Sequence, residues 1–276
     1  MECNHDCSSC ASASCGERKE EKKKNGAERV KKVIAVVSGK GGVGKSLVSA
    51  LTACALTKDG AKAGVLDADV TGPSMGKVFG VSTKAYGNGS MIVPAMIKGG
   101  IKLISVNMML EHEDDPVIWR GPLIANMVQQ FWTDVDWGDV DYMVVDMPPG
   151  TGDVPLTVFQ SLPVDGIVIV TSPQELVSMI VAKALKMANM MDIPVLGVVE
   201  NMSYFECDNC GKRHYIYGES KAEEVCEKYG VKLLARLPIN PEFAHLCDEG
   251  RIEDADCKEI APVVDAVKKA EKRKRA

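Results

Sequence analysis

Residues 39 to 46 read Gly-Lys-Gly-Gly-Val-Gly-Lys-Ser, and no other stretch narrows the choice of fold so far. An apolar run, Val33 to Val37, precedes it and a helical pattern, Leu47 to Lys58, follows. A strand feeding a glycine-rich turn and then a helix N-terminus makes a nest of backbone N–H groups around phosphate oxygens. In that arrangement Gly39, Lys40, Gly41, Gly42, Val43, Gly44, Lys45, Ser46 and Leu47 line the phosphates, and side chains at Gly41, Gly42 or Gly44 would obstruct the approach. Lys45 reaches the β and γ phosphates, and Ser46 offers its hydroxyl to magnesium. Lys40 has no role in that minimal cradle.

The rest of the chain repeats the same alternation. Ala63 to Leu66, Tyr142 to Val145, Gly166 to Val170 and Val195 to Val199 are continuous apolar runs, and Lys232 to Leu237 is a further strand. Such runs suit parallel strands covered on both faces. Helical patterns over Leu123 to Thr133, Leu176 to Met191 and Lys221 to Tyr229 separate them. The expectation is an α/β fold, a doubly wound and mostly parallel sheet, with ligand at the carboxyl ends of the strands.

One such domain, residues 33–267, accommodates most of the 276 residues. Segment 17–32 is almost all charged or polar, with mixed signs, and reads as a solvated linker or a frayed helix. Segment 268–276 is a basic tail with only alanine to oppose its lysines, which makes it a solvated helix end and not an interfacial membrane anchor. A net charge of −5 gives no general attraction to nucleic acid or to anionic membrane. The apolar runs are strand-sized and the N-terminus lacks a signal-peptide pattern, so the expected compartment is the cytoplasm. Ten cysteines in that reducing setting argue for metal ligation or buried thiols over disulfides.

Two strand ends carry carboxylates, Asp67 and Asp69 after the second run and Asp146 before Met-Pro-Pro-Gly-Thr-Gly-Asp153. A carboxylate there can hold magnesium through water while the glycine-rich turn senses the γ phosphate. With Gly72-Pro-Ser-Met75, Trp119-Arg-Gly-Pro122, Glu200-Asn-Met-Ser203 and Lys40 in the loop, the chain resembles the Mrp/ApbC carriers over roughly residues 33–265. These are P-loop ATPases with a deviant Walker A motif, grouped with MinD and ParA. The resemblance implies slow ATP hydrolysis coupled to holding a four-iron four-sulfur cluster and delivering it to apoproteins. It implies a homodimer in which Lys40 reaches the partner's nucleotide. It makes Asp69 the switch I carboxylate that positions water and Asp146 the Walker B residue, both with Ser46 at magnesium, and leaves Asp67 structural. Asn201 would recognise adenine, with Pro238 in the turn near the base.

Cys207-Asp-Asn-Cys210 carries the cluster chemistry. Two thiolates separated by two residues face one centre, but a cubane wants about four ligands, which two copies around a two-fold axis supply. Zinc is the alternative, because Cys207, Cys210 and His214 have half-site spacing. Segment 1–16 holds Cys3, Cys7, Cys10 and Cys15, which have no core to enter and point to a second cluster of undetermined type. Cys54, Cys226, Cys247 and Cys257 are assigned to packing. Two other functions compete, a MinD- or ParA-like positioning switch and an electron-transfer ATPase like the nitrogenase iron protein. The second spaces its ligands in separate segments, whereas no cysteine lies between Cys54 and Cys207 here.

Overall fold

The computed structural model describes residues 25–70, 72–87, 89–109, 121–173 and 177–273, the side chains of 121 and 122 excepted. In chain order the strands are β1 (Val30–Ser38), β2 (Ala63–Asp67), β3 (Tyr86–Gly87), β4 (Ile92–Val93), β5 (Ala95–Met96), β6 (Lys102–Ile104), β7 (Val140–Asp146), β8 (Gly166–Thr171), β9 (Val195–Glu206), β10 (Arg213–His214) and β11 (Leu233–Pro238). The helices are α1 (Lys45–Lys58), α2 (Met75–Val78), α3 (Gly121–Thr133), α4 (Asp153–Ser161), α5 (Val177–Met190), α6 (Ala222–Tyr229), α7 (Pro241–Glu249) and α8 (Ala261–Lys269). The main sheet runs β10-β9-β8-β1-β7-β2-β6-β5, with β11 also on β9. Its inner pairs are parallel, and only the short outer strands β10 and β5 pair antiparallel.

Successive strand side chains point to opposite faces, and the core divides accordingly. Val33, Ala35 and Val37 of β1 join Val145 and Ile169 in a layer closed by Phe131 of α3, Phe159 of α4 and Val181 of α5. Ile34 and Val36 join Val144 and Val168 in the other layer, closed by Val48 and Leu51 of α1 and by Val264 and Val267 of α8. Each buried valine contributes about 1.5 to 3 kcal/mol from removal of apolar surface, which is why these runs carry no polar face.

The chain's midline therefore follows the sequence reading, and the departures lie at its edges. β6 is three residues long, too short to show a period, and β5 reverses direction on it. β9 extends to Glu206, well past the apolar run that announces it. The segment read as a solvated linker is packed at its end, where Ala27 and Val30 are buried and the Gly26 N–H donates to the Thr133 carbonyl at 2.8 Å. Their apolar contacts outweigh the charge of their neighbours. The basic tail also differs from a solvated helix end as far as Arg273, whose N–H donates to the buried Asp165 Oδ1 at 2.9 Å.

Candidate functional site

Ser38 ends β1 at the middle of the sheet and hands the chain to the glycine-rich loop, so the loop stands at the strands' carboxyl ends. Gly42 and Gly44 both have φ of 79°, a left-handed conformation that side chains rarely adopt. A Cβ at Gly41 or Gly42 would meet no protein atom within 4 Å, so the space above them is open to a ligand. No side chain caps the N-terminus of α1, which leaves its N–H groups to an anion. These features fit a nucleotide's phosphates.

Below the loop, charges converge. Lys45 Nζ lies 2.7 Å from Asp146 Oδ2 and 3.9 Å from Asp69 Oδ2, with all three side chains nearly or wholly buried. Ser46 Oγ donates to Asp146 Oδ2 at 2.7 Å, and Ser49 Oγ donates to Asp146 Oδ1 at 2.7 Å. A hydroxyl beside carboxylates is a hard-oxygen donor set of the kind magnesium takes alongside its waters. The role of Ser49 was legible only as a second serine on the face of α1 that carries Ser46.

Asp67 and Asp146 are register partners on β2 and β7. Burial, and next the Asp146 charge, raise the Asp67 carboxyl to about 7, against the Ser105 hydroxyl and the Met75 N–H that favour its ionised form. Asp67 accepts from Ser105 Oγ at 2.9 Å, from the Met75 N–H at 3.2 Å and from the Asp69 N–H at 3.2 Å. It thus braces the turn that presents Asp69, whose Oδ1 accepts from the Gly72 N–H at 3.2 Å. Lys40, in the same loop, is half-exposed, whereas Lys45 is buried.

Asn201 sits on β9 under the loop, where its Nδ2 donates to the Val43 carbonyl at 3.0 Å. A Cβ at Gly44 would fall 2.0 Å from that nitrogen, so Asn201 is a second reason for glycine at 44. Pro238 ends β11 in register with Tyr204, just beyond Asn201 on the neighbouring strand.

β9 continues past Asn201 to the cysteine pair. Cys207 and Cys210 occupy the turn between β9 and β10, closed by the Cys207 N–H to the Lys212 carbonyl at 3.0 Å and the Gly211 N–H to the Cys207 carbonyl at 2.8 Å. The Asn209 N–H, then the Cys210 N–H and thiol, hydrogen-bond the Cys207 sulfur and lower its pKa, favouring the thiolate that binds metal. Four thiols away from this turn move oppositely. Burial pushes Cys54 up to about 12 and Cys226 and Cys257 to about 11, and also raises Cys247. Among the described residues no three metal-binding side chains converge, so His214 does not join the pair in one chain. Cys3, Cys7, Cys10 and Cys15, like Trp119 and Arg120, lie outside the described residues. No helix among the described residues is long and apolar enough to cross a membrane.

A doubly wound sheet with this loop, its uncapped helix and its buried lysine–carboxylate group defines a P-loop nucleotide-binding protein. The family model described as ParA, NUBPL iron-transfer P-loop NTPase, matches residues 29–271, and the chain belongs to that family. The iron-sulfur cluster carrier protein of Clostridium perfringens is 47% identical over 233 residues, 82% of each chain. A solved nucleotide-binding protein from Archaeoglobus fulgidus, in complex with ADP, matches with TM-score 0.77 and 43% identity over 84% of this chain and 91% of that one. The cell division ATPase MinD of Pyrococcus furiosus, at 21% identity and TM-score 0.60 over 86% and 97%, shares the fold.

Proposed function

We propose that this chain is a homodimeric ATPase that holds a four-iron four-sulfur cluster between the Cys207 and Cys210 pairs of two copies and delivers it to apoproteins in the cytoplasm. The observation that carries the reading is a pair of thiols, one of them with a lowered pKa, at a hairpin tip where no third ligand converges among the described residues. Two ligands per copy and about four per cluster require a second copy. The name of the Clostridium perfringens relative supports the cargo.

Bound ATP with magnesium supplies a transferable phosphoryl group and the charge that the loop neutralises. Lys45 and the N-terminus of α1 bind that charge, Ser46 and Asp146 hold the metal's side of the site, and Asp69 orients the attacking water. Lys40 reaches the partner copy's nucleotide, which makes assembly depend on ATP. Asn201 Oδ1 accepts from the adenine amine, and Pro238 flanks the base. Cys3, Cys7, Cys10 and Cys15 bind a second cluster within one chain. Neither a membrane nor a nucleic acid takes part.

Anaerobic reconstitution with iron counted per dimer tests the cargo. Removing residues 1–24, which leaves the packed Ala27 and all of β1 in place, leaves about one four-iron cluster per dimer, and adding Cys207→Ala with Cys210→Ala removes it. Stoichiometric zinc without iron in the truncated protein would make the pair a structural zinc site and end the proposal.

A further inference from the structure

Glu200 stands next to Asn201 on β9 and is fully buried, yet it belongs to neither the phosphate loop nor the thiol turn. Its Oε2 accepts from Ser203 Oγ at 2.6 Å and its Oε1 from Ser220 Oγ at 2.7 Å. Those two serines bracket the segment that carries Cys207 and Cys210. Ser220 Oγ also accepts from the Ala222 N–H at 3.1 Å, which fixes the start of α6 to the same carboxylate. Arg236 on β11, in register with Glu200, brings its Nε to 3.7 Å, and its Nη2 is held by Glu223 of α6 at 3.0 Å.

The bond from Ser203 to Glu200 needs a special backbone. Residues three apart in an extended strand point to opposite faces. Met202 between them has φ of 58°, a left-handed conformation that costs an ordinary side chain about 1 to 2 kcal/mol. That turn swings Ser203 back onto the carboxylate. Strain of this kind persists where surrounding contacts over-determine it, and here they are the buried Glu200 on one side and the Asn201 contact to Val43 on the other. The phosphate loop and both roots of the thiol segment therefore meet at two adjacent residues.

We propose that Glu200 is a positioning residue that transmits the state of the phosphate loop to the cysteine pair. It rests on reading Cys207 and Cys210 as the cargo ligands, and it adds how they respond to nucleotide. Loop movement on binding displaces Asn201, and the Glu200 clamp turns that displacement into a shift of Ser203 and Ser220 together. Without the clamp the segment moves independently of the loop.

Peptide-resolved alkylation of Cys207 and Cys210 by iodoacetamide, in the full chain freed of iron, tests this with and without ATP and magnesium. In the unsubstituted chain nucleotide changes the rates by about fivefold or more, the low end of ordinary coupling between sites. In Glu200→Gln and in Ser220→Ala the ratio falls toward one, while nucleotide affinity stays within about twofold. A merely structural role would shift both rates and leave their ratio. Ser220→Ala removes one arm at a half-buried position, so it decides the matter if Glu200→Gln fails to fold. An unchanged ratio in the variants, or a ratio of one in the unsubstituted chain, overturns the proposal. Because iron is absent from this measurement, a chain that never binds a cluster is recognised separately by its iron count.

Discussion

Gly44→Ala is the sharpest perturbation of the loop, because two independent costs fall on one methyl group. The new side chain must adopt φ of 79°, and its Cβ would stand 2.0 Å from Asn201 Nδ2. The left-handed conformation costs about 1 to 2 kcal/mol. Relief of the clash displaces Asn201, breaks its bond to the Val43 carbonyl and strands buried polar groups at about 1 to 3 kcal/mol. Gly44→Ala should therefore destabilise the nucleotide-free chain by about 2 to 5 kcal/mol. Asn201→Ala opens the space the methyl needs, so in that background Gly44→Ala costs only its backbone share. Urea unfolding followed by the fluorescence of the buried Trp132 and Trp137 reads all four corners of the cycle. A coupling of at least about 1 kcal/mol is expected, and costs that simply add within about 0.5 kcal/mol would refute the reasoning.

Lys40→Ala should keep much of its nucleotide affinity and lose ATP-promoted dimerisation, read by sedimentation; an unchanged response to ATP removes the role in trans. Asp67, raised to about 7 in the folded chain from 3.8, holds a proton that the unfolded chain releases. Its contribution is full below 3.8 and is lost as pH rises through about 7, so Asp67→Asn should flatten the pH dependence of nucleotide-free stability across that window. Equal pH profiles for the two proteins would contradict this. Cys207 should alkylate faster near neutral pH than Cys54, Cys226 or Cys257, since hydrogen bonds lower its thiol while burial raises theirs; peptide mapping that finds Cys54 fastest would reverse the argument.

What the sequence disclosed depended on how local the physics was. The loop from Gly39 to Ser46 and the valine-rich runs announce themselves because glycine conformation and two-sided burial act within a few residues. β6 was hidden because three residues show no period, and α7 because its start is set by Asn240 Oδ1 accepting the Glu242 N–H. The contact of Asn201 with Val43 spans 158 positions and leaves no trace in either segment. The clamp at Glu200 was equally invisible, since Ser203 reaches it only through the conformation of Met202, and a strand pattern would have placed the two on opposite faces.

β1 has a consequence for how this chain can change over time. Its residues are dealt alternately to two separate cores, and its last residue leads straight into the phosphate loop. Ile34→Val alters volume at one place and costs about 0.5 to 1.5 kcal/mol. Loss of a single residue between Val33 and Val37 would do something different in kind. It would send every side chain behind the gap into the wrong core and lower the loop by about 3.3 Å relative to Asp146 and Asn201. β1 therefore behaves like a reading frame, tolerant of spelling and intolerant of length.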